Sequence, residues 1–445
     1  MDWDDAAIAK ELEKLAAGTD EIADVFGERL AEITIPWRDG EAGDPRVRRE
    51  DGVAARRRAR GEERFAFVSG WGDAAARSAV RALDEGSSSG RPPGSAPAAA
   101  AAEPDEALSR DAARWVRRLP ALLARHAPRH RLRLRLLRTE RRVVATGRPA
   151  SESVRRLVSV EGVVVAASRL GDEERRFAFH APDGGAVADE LKAALVRAAA
   201  PRDRPIPATA GETDAVLASG CAAVLFHEIL AHALEADAGR SPISSATDAR
   251  LTTPELDVRD DPRRLDLFGG YERDDEGTAP RSVKLIHSGR IGSRITDRAS
   301  AAAGSRGGST GHGRRAAPSE PPQPRTANVV VAAGSVPSEE LVRRLGNGLW
   351  IDEIHAGSAE PSSGSFRLAF PRARRVHRGR LAEEIGPGSL FGEMVPALRR
   401  IEPALGREAH ACRSLGWCAR DGRVLPVQGE APDLIVRALA LRPAR

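Results

Sequence analysis

Lysine is nearly absent from this chain of 445 residues. It stands only at Lys10, Lys14, Lys192 and Lys284, so arginine carries almost all the positive charge. Arginine is spread along the chain beside almost as many acids, and the net charge is only +5. That is a compositional bias toward Arg and Ala, and it argues against a localised basic footprint for nucleic acid. Long apolar runs are also missing: none reaches membrane-spanning length, which argues against a membrane-embedded chain. Cysteine is scarce. Cys221, Cys412 and Cys418 are too few and too unevenly placed for a disulfide framework, which in a reducing compartment leaves a thiol free for metal. Met1-Asp2-Trp3-Asp4-Asp5 is acidic and lacks a basic n-region and an apolar h-region, so the expected location is the cytoplasm. With 41% hydrophobic residues the chain reads as globular, long enough for two or three domains.

Periodicity predicts an α+β first half. Asp4 to Ala16 carries apolar residues at helical spacing; Arg64 to Val68 alternates like a strand, and a helical segment runs on to about Leu83. Residues 86–102 are Ser, Gly, Pro and Ala apart from Arg91, the composition of a flexible linker or loop. Glu103 to Ala127 is an amphipathic helix with Trp115, Leu119, Leu122 and Leu123 on its apolar side. Arg131 to Leu136 alternates Arg with Leu, predicting a half-buried strand with a solvated arginine face. Arg142 to Thr146, Leu157 to Ala167 and Arg175 to His180 read as further strands, and Val187 to Ala199 as a helix. The expected organisation is an N-terminal α+β domain over 1–204 with an antiparallel sheet and helices. A β-rich C-terminal domain over 205–445 follows, with a mobile loop at about 300–324.

The second half opens with a strand at Asp214 to Ala218, a turn at Gly220, and an apolar helical run from Ala222 to Ala236. Inside that run stands His227-Glu228-Ile229-Leu230-Ala231-His232, two imidazoles bracketing a carboxylate. Imidazole is a good zinc ligand, and a carboxylate beside the metal can take a proton from water. The spacing is HExxxH, five residues. On a regular α-helix it separates the two histidines by roughly 140° around the axis and about 7.5 Å along it, too far for one ion. Either the pair is coincidental or the helix widens into a π-type turn, where residues i and i+5 align. Two histidines also leave a catalytic zinc short of its usual three protein ligands. Candidates for the third are Glu235 and the late cysteines.

The surrounding residues resemble a known family. His227-Glu228, His232, Glu235 and Asp237 are similar to the signature of the TldD/PmbA metalloproteases, in particular the metal-bearing TldD-type subunit. Asp260-Asp261-Pro262, Asp274-Asp275-Glu276-Gly277 and Pro324-Arg325-Thr326-Ala327-Asn328 resemble its acidic and PR-x-x-N segments in the same order. Gly348-Leu349-Trp350-Ile351, Gly364-Ser365-Phe366 and Cys418 to Val427 resemble its later ones. The likeness covers most of 205–440. It implies one zinc ion per catalytic subunit held by His227, His232 and Cys418, with Glu228 as general base activating a zinc-bound water. In that picture Glu235, His312 and Arg314 could support the ligands from behind or contact substrate, and Glu235 is also the runner-up ligand. Departures from the family pattern are Ala231 and Ala233 in place of glycine, and Ala419, Arg420 and Arg423 around the cysteine. Alanine favours a regular helix over glycine by about 1 kcal/mol, so it does not ease a bulge.

The expectation is therefore a cytoplasmic zinc metallopeptidase acting on peptides or unfolded polypeptides. The resemblance further implies a dimer, either with itself or with a metal-free PmbA-type partner. The alternative is a non-catalytic subunit or peptide-binding scaffold of the same fold, which would have no need of Glu228 and all three ligands together.

Overall fold

The computed structural model describes residues 3–15, 22–59, 62–85, 106–166, 172–182, 187–200, 205–246, 250–304 and 308–444. The Ser/Gly/Pro/Ala stretch 86–102 lies outside them. Among the described residues no helix is long and apolar enough to cross a membrane.

Two sheets organise the chain. The first is antiparallel, its main strands ordered Glu62–Ser69, Arg46–Ala59, Ile22–Arg38, His130–Ala145, Ser151–Ala166, Glu173–Pro182. The helices Asp5–Leu15, Asp73–Asp84, Glu106–His126 and Val187–Ala199 cover one face of it. That face is apolar: Val25, Ile33, Ile35, Leu132, Leu134, Leu136, Val158 and Val160 alternate inward at the strand period of two. The Arg131 to Leu136 and Arg142 to Thr146 segments thus belong to one long strand. Periodicity missed the central strand, Ile22–Arg38, and its neighbour Arg46–Ala59, because their second face carries Asp24, Glu28, Glu32 and Arg56, which read as solvated. In the fold these four are buried.

They are buried because that face meets the second half through ion pairs. Arg56 Nε donates to Asp24 Oδ2 at 3.0 Å, and its Nη2 also reaches Glu276 of the second half. Arg315 Nη2 donates to Asp24 Oδ1 at 3.0 Å, and Arg141 bridges Glu28 and Asp275. Burial pushes the Asp24 carboxyl upward, but Arg56, Arg315 and Arg298 outweigh it and hold the group below its ordinary value.

The second sheet has 13 strands and mixed direction. Its organising strand is Gln428–Pro443, parallel to Asn328–Val331 and antiparallel to Gly211–Leu217, Ile401–Ala411 and Gly388–Glu393. Against it packs a helix from Cys221 to Leu234, every residue of which is buried. Its apolar residues, among them Leu225, Phe226, Ile229 and Leu230, place it inside the core, with His227, Glu228 and His232 as its polar exceptions. It starts at Gly220, whose φ of +84° and approach to the His410 carbonyl, 2.4 Å from where a Cβ would stand, admit only glycine.

The described part of 300–324 is not the mobile loop its composition suggested. His312, Arg314 and Arg315 are buried, Gly313–Arg314 pairs with Gln323–Pro324, and Arg315 reaches across to Asp24. Glycine there serves close packing: a Cβ on Gly313 would fall 2.3 Å from Glu276 Oε2.

Removing Asp24 leaves the buried Arg315 guanidinium without its carboxylate and Arg56 with one partner instead of two. Asp24→Ala should lower stability by about 3–5 kcal/mol, read as a reduced urea midpoint at unchanged slope.

Candidate metal centre

The HExxxH helix is not a regular α-helix. From His227 to Ala231 it is a π turn, and the His232 N–H donates to the carbonyl of His227, five residues back. Helical dihedrals hold at its ends: φ/ψ is −58°/−47° at His227, −60°/−52° at Ala231 and −60°/−38° at His232. Ala231 thus sits in ordinary helical backbone, which needs no glycine there. The widened turn puts both imidazoles on one face, ring centroids 4.6 Å apart and nearly perpendicular.

Cys418 arrives from the far end of the chain on a two-stranded hairpin, Trp417–Arg420 with Arg423–Pro426. The connection is Asp421-Gly422, both with positive φ (+52° and +76°), the primed geometry that suits a tight hairpin. Three groups seat the hairpin. Arg135 of the first sheet lies 4.7 Å over the Trp417 ring, Phe268 meets that ring edge-on at 5.2 Å, and the His180 ring presses on Gly416.

Ligand atoms of His227, His232 and Cys418 consequently lie within 4.8 Å of one another, all three residues buried. Cys418 Sγ is 3.3 Å from His232 Nε2. Burial would raise the Cys418 thiol, but the His227 and His232 imidazoles bring it down to about 4. His232 is moved the other way: burial opposes its charged form, and Glu235 and Cys418 raise it well above its ordinary value. Both shifts express one pairing, imidazolium against thiolate. Two imidazoles and a thiolate are a zinc-type donor set, and His227 Nδ1 is buried with no hydrogen-bond partner among the described residues. The residues fit the ion.

Glu235, weighed from sequence as a ligand or a supporting group, sits behind His232. Its Oε2 accepts from His232 Nδ1 at 3.3 Å, which leaves Nε2 turned toward the sulfur. It also accepts from the Thr326 N–H at 2.9 Å and from Arg420 Nη1 at 2.6 Å. Burial would raise this carboxyl, yet His232, Arg325 and Arg420 draw it down to about 2. Arg420 was not foreseen as part of the site. Its only trace in sequence was a basic residue two places after the cysteine.

Glu228 faces a cleft of ≈ 640 Å³ shared with His227, His232 and Cys418 and lined by Val224, Ile354, Leu415, Trp417 and the strand Ala356–Glu360. Burial raises its carboxyl above the ordinary value, partly offset by His227 and His232. His312 and Arg314 do not line this cleft, so the expected substrate contact is not what their placement supports. His312 Nε2 holds Asp260 at 3.1 Å, and Arg314 donates to the carbonyls of Thr326 and Pro426. Full burial and internal partners make them braces of the centre.

Fold and site together define a class, an α+β protein with two sheets whose buried His227, His232 and Cys418 cluster and adjacent Glu228 open on one cleft, the layout of a metal site. Comparison gives the family. A sequence model of the PmbA/TldA metallopeptidase C-terminal domain matches residues 210–441, and the chain belongs to that family. A metalloprotease TldD homolog of Haemophilus influenzae is 26% identical over 259 residues, covering 58% of this chain and 53% of the relative. A zinc metalloprotease TldD homolog of Saccharolobus solfataricus is 24% identical over 310 residues, 67% of this chain and 66% of the relative. The chain spans about half the length of the first curated relatives it matches. Among solved structures, TldE from Thermococcus kodakarensis shares the fold with a TM-score of 0.71 at 16% identity, over 98% of this chain and 99% of that one.

A Cβ on Gly416 would lie 2.1 Å from His180 Cδ2, and Ser159 holds that ring through Nδ1 at 2.9 Å. Gly416→Ala should displace the strand bearing Cys418 and weaken metal uptake by roughly 10–100-fold, measured by competition with a chelator.

Proposed function

We propose that the protein is a zinc-dependent peptidase that cleaves extended peptides or unfolded polypeptides. The observation that carries this reading is the convergence of His227, His232 and Cys418 beside Glu228 in one cleft. His227, His232 and Cys418 would hold the ion, one per chain, and bound zinc would supply Lewis acidity at the scissile carbonyl.

The chain's own groups do the rest. The strand Ala356–Glu360 pairs with Ser365–Phe370 alone among the described residues, so its other edge can take an extended peptide as an added strand. This fixes the peptide by its backbone and leaves its side chains little constrained. A Cβ on Gly357 would lie 2.5 Å from Glu228 Oε1, so strand and carboxylate are in close approach. Glu228 takes the proton of the attacking water and returns it to the leaving amide nitrogen. Its upward-shifted carboxyl suits both steps, since a base held nearer neutrality also gives its proton back. We further propose that the enzyme works as a dimer, with itself or with a PmbA-type partner, in the cytoplasm, where its three free cysteines stay reduced.

The test is zinc content and hydrolysis of an unfolded polypeptide by the full chain. Glu228→Gln should keep the metal and lose at least ~10²-fold in kcat. Gly357→Ala, by pushing Glu228 off its position, should keep the metal and lower kcat as well. Wild-type protein without metal sinks the reading. Metal without hydrolysis favours the peptide-binding scaffold.

A further inference from the structure

A thiolate donates more electron density than an imidazole, so a His₂Cys site leaves its metal a weaker Lewis acid than three histidines would. Something nearby can offset this. Arg325 is 1% exposed, and its Nη2 lies 3.5 Å from Cys418 Sγ. Its Nε is 3.5 Å from Glu235 Oε1, an ion pair without a hydrogen bond, and neither Nε nor Nη1 has a hydrogen-bond partner among the described residues.

Other buried guanidiniums in this chain are served by oxygen: Arg56 forks onto the Asp24 carboxylate through Nε and Nη2, and Arg314 donates to the carbonyls of Thr326 and Pro426. Arg325 makes no such fork, and Glu235 is already served by His232, Thr326 and Arg420. The backbone around Arg325 is pinned: its N–H donates to the His312 carbonyl at 3.0 Å, the N–H of Thr326 donates to Glu235, and that of Ala327 donates to Asp260. A long side chain on a fixed backbone, buried without a full set of acceptors, is held where its charge faces the sulfur.

We propose that Arg325 is a positioning residue of the metal centre, donating to the Cys418 thiolate and drawing density from it so that sulfur behaves toward the ion more like a third imidazole. Thiolate and guanidinium together are neutral, as an imidazole is. Hydrogen bonding to a ligating sulfur is a general means of tuning the metal it holds. The inference rests on the zinc-peptidase reading and adds a residue to it.

Cobalt(II) loaded into the full chain in place of zinc provides the test, because a thiolate ligand gives a sulfur-to-cobalt charge-transfer band in the near ultraviolet. Losing the donor raises the sulfur orbitals, so in Arg325→Met the band should move to longer wavelength. Cobalt affinity should hold or increase, because a cation has left the neighbourhood of the ion, while kcat/KM falls roughly 10–100-fold. Arg325→Lys should return the band part of the way. A purely structural arginine predicts the opposite pattern, weaker cobalt binding with an unmoved band. Arg325→Gln replaces the methionine variant if that fails to fold, and its band must also move. Wild-type protein with a sulfur–cobalt band that no neutral substitution shifts overturns this inference alone. Wild-type protein that binds cobalt without such a band, or binds none, overturns the His₂Cys reading and this inference with it.

Discussion

One backbone hydrogen bond conditions the rest of the site, the His232 N–H donating to the carbonyl of His227 across a π turn. With a bond to residue 228 instead, the two imidazoles would diverge around the helix and no cluster could form. The turn is held by the core built mainly from the second sheet, into which Leu225, Phe226, Ile229 and Leu230 pack, while His227, Glu228 and His232 face the cleft.

The second requirement is that Cys418 be delivered to that face. It lies outside the large sheet, on a small hairpin, and a hairpin of this size has little stability of its own. The first sheet provides what is missing: Arg135 over Trp417, His180 against Gly416, and the ion pairs of Asp24, Arg56, Arg141 and Arg315 that lock the two halves together. The first half of the chain thereby takes part in the centre without contributing a ligand.

Glu235 ties these parts electrostatically. It orients His232, anchors the segment after Arg325 through the Thr326 N–H, and meets Arg420 of the cysteine hairpin. Helix, hairpin and the 323–328 segment all converge on one buried carboxylate, kept ionised by the cations around it. The proton that the cluster favours on His232 and the negative charge it favours on Cys418 follow from the same arrangement.

Much of this was legible from sequence where the local signal was unambiguous. Alternation marked Arg131 to Leu136, and helical spacing marked Val187 to Ala199. The α+β class followed from these. Ile22–Arg38 was not legible, because Asp24, Glu28 and Glu32 look solvated until partners 100 to 290 residues away are known. The 308–324 segment read as a loop for the same reason: its buried polar residues Thr310, His312, Arg314 and Arg315 find their ionic or backbone partners in other segments. The sequence by itself determined the residue types of the cluster, the five-residue spacing and the family. Only the tertiary structure decided that the helix widens by one residue, that Cys418 meets it, and that His312 and Arg314 face inward, because each depends on contacts between segments distant in sequence, which no local pattern encodes.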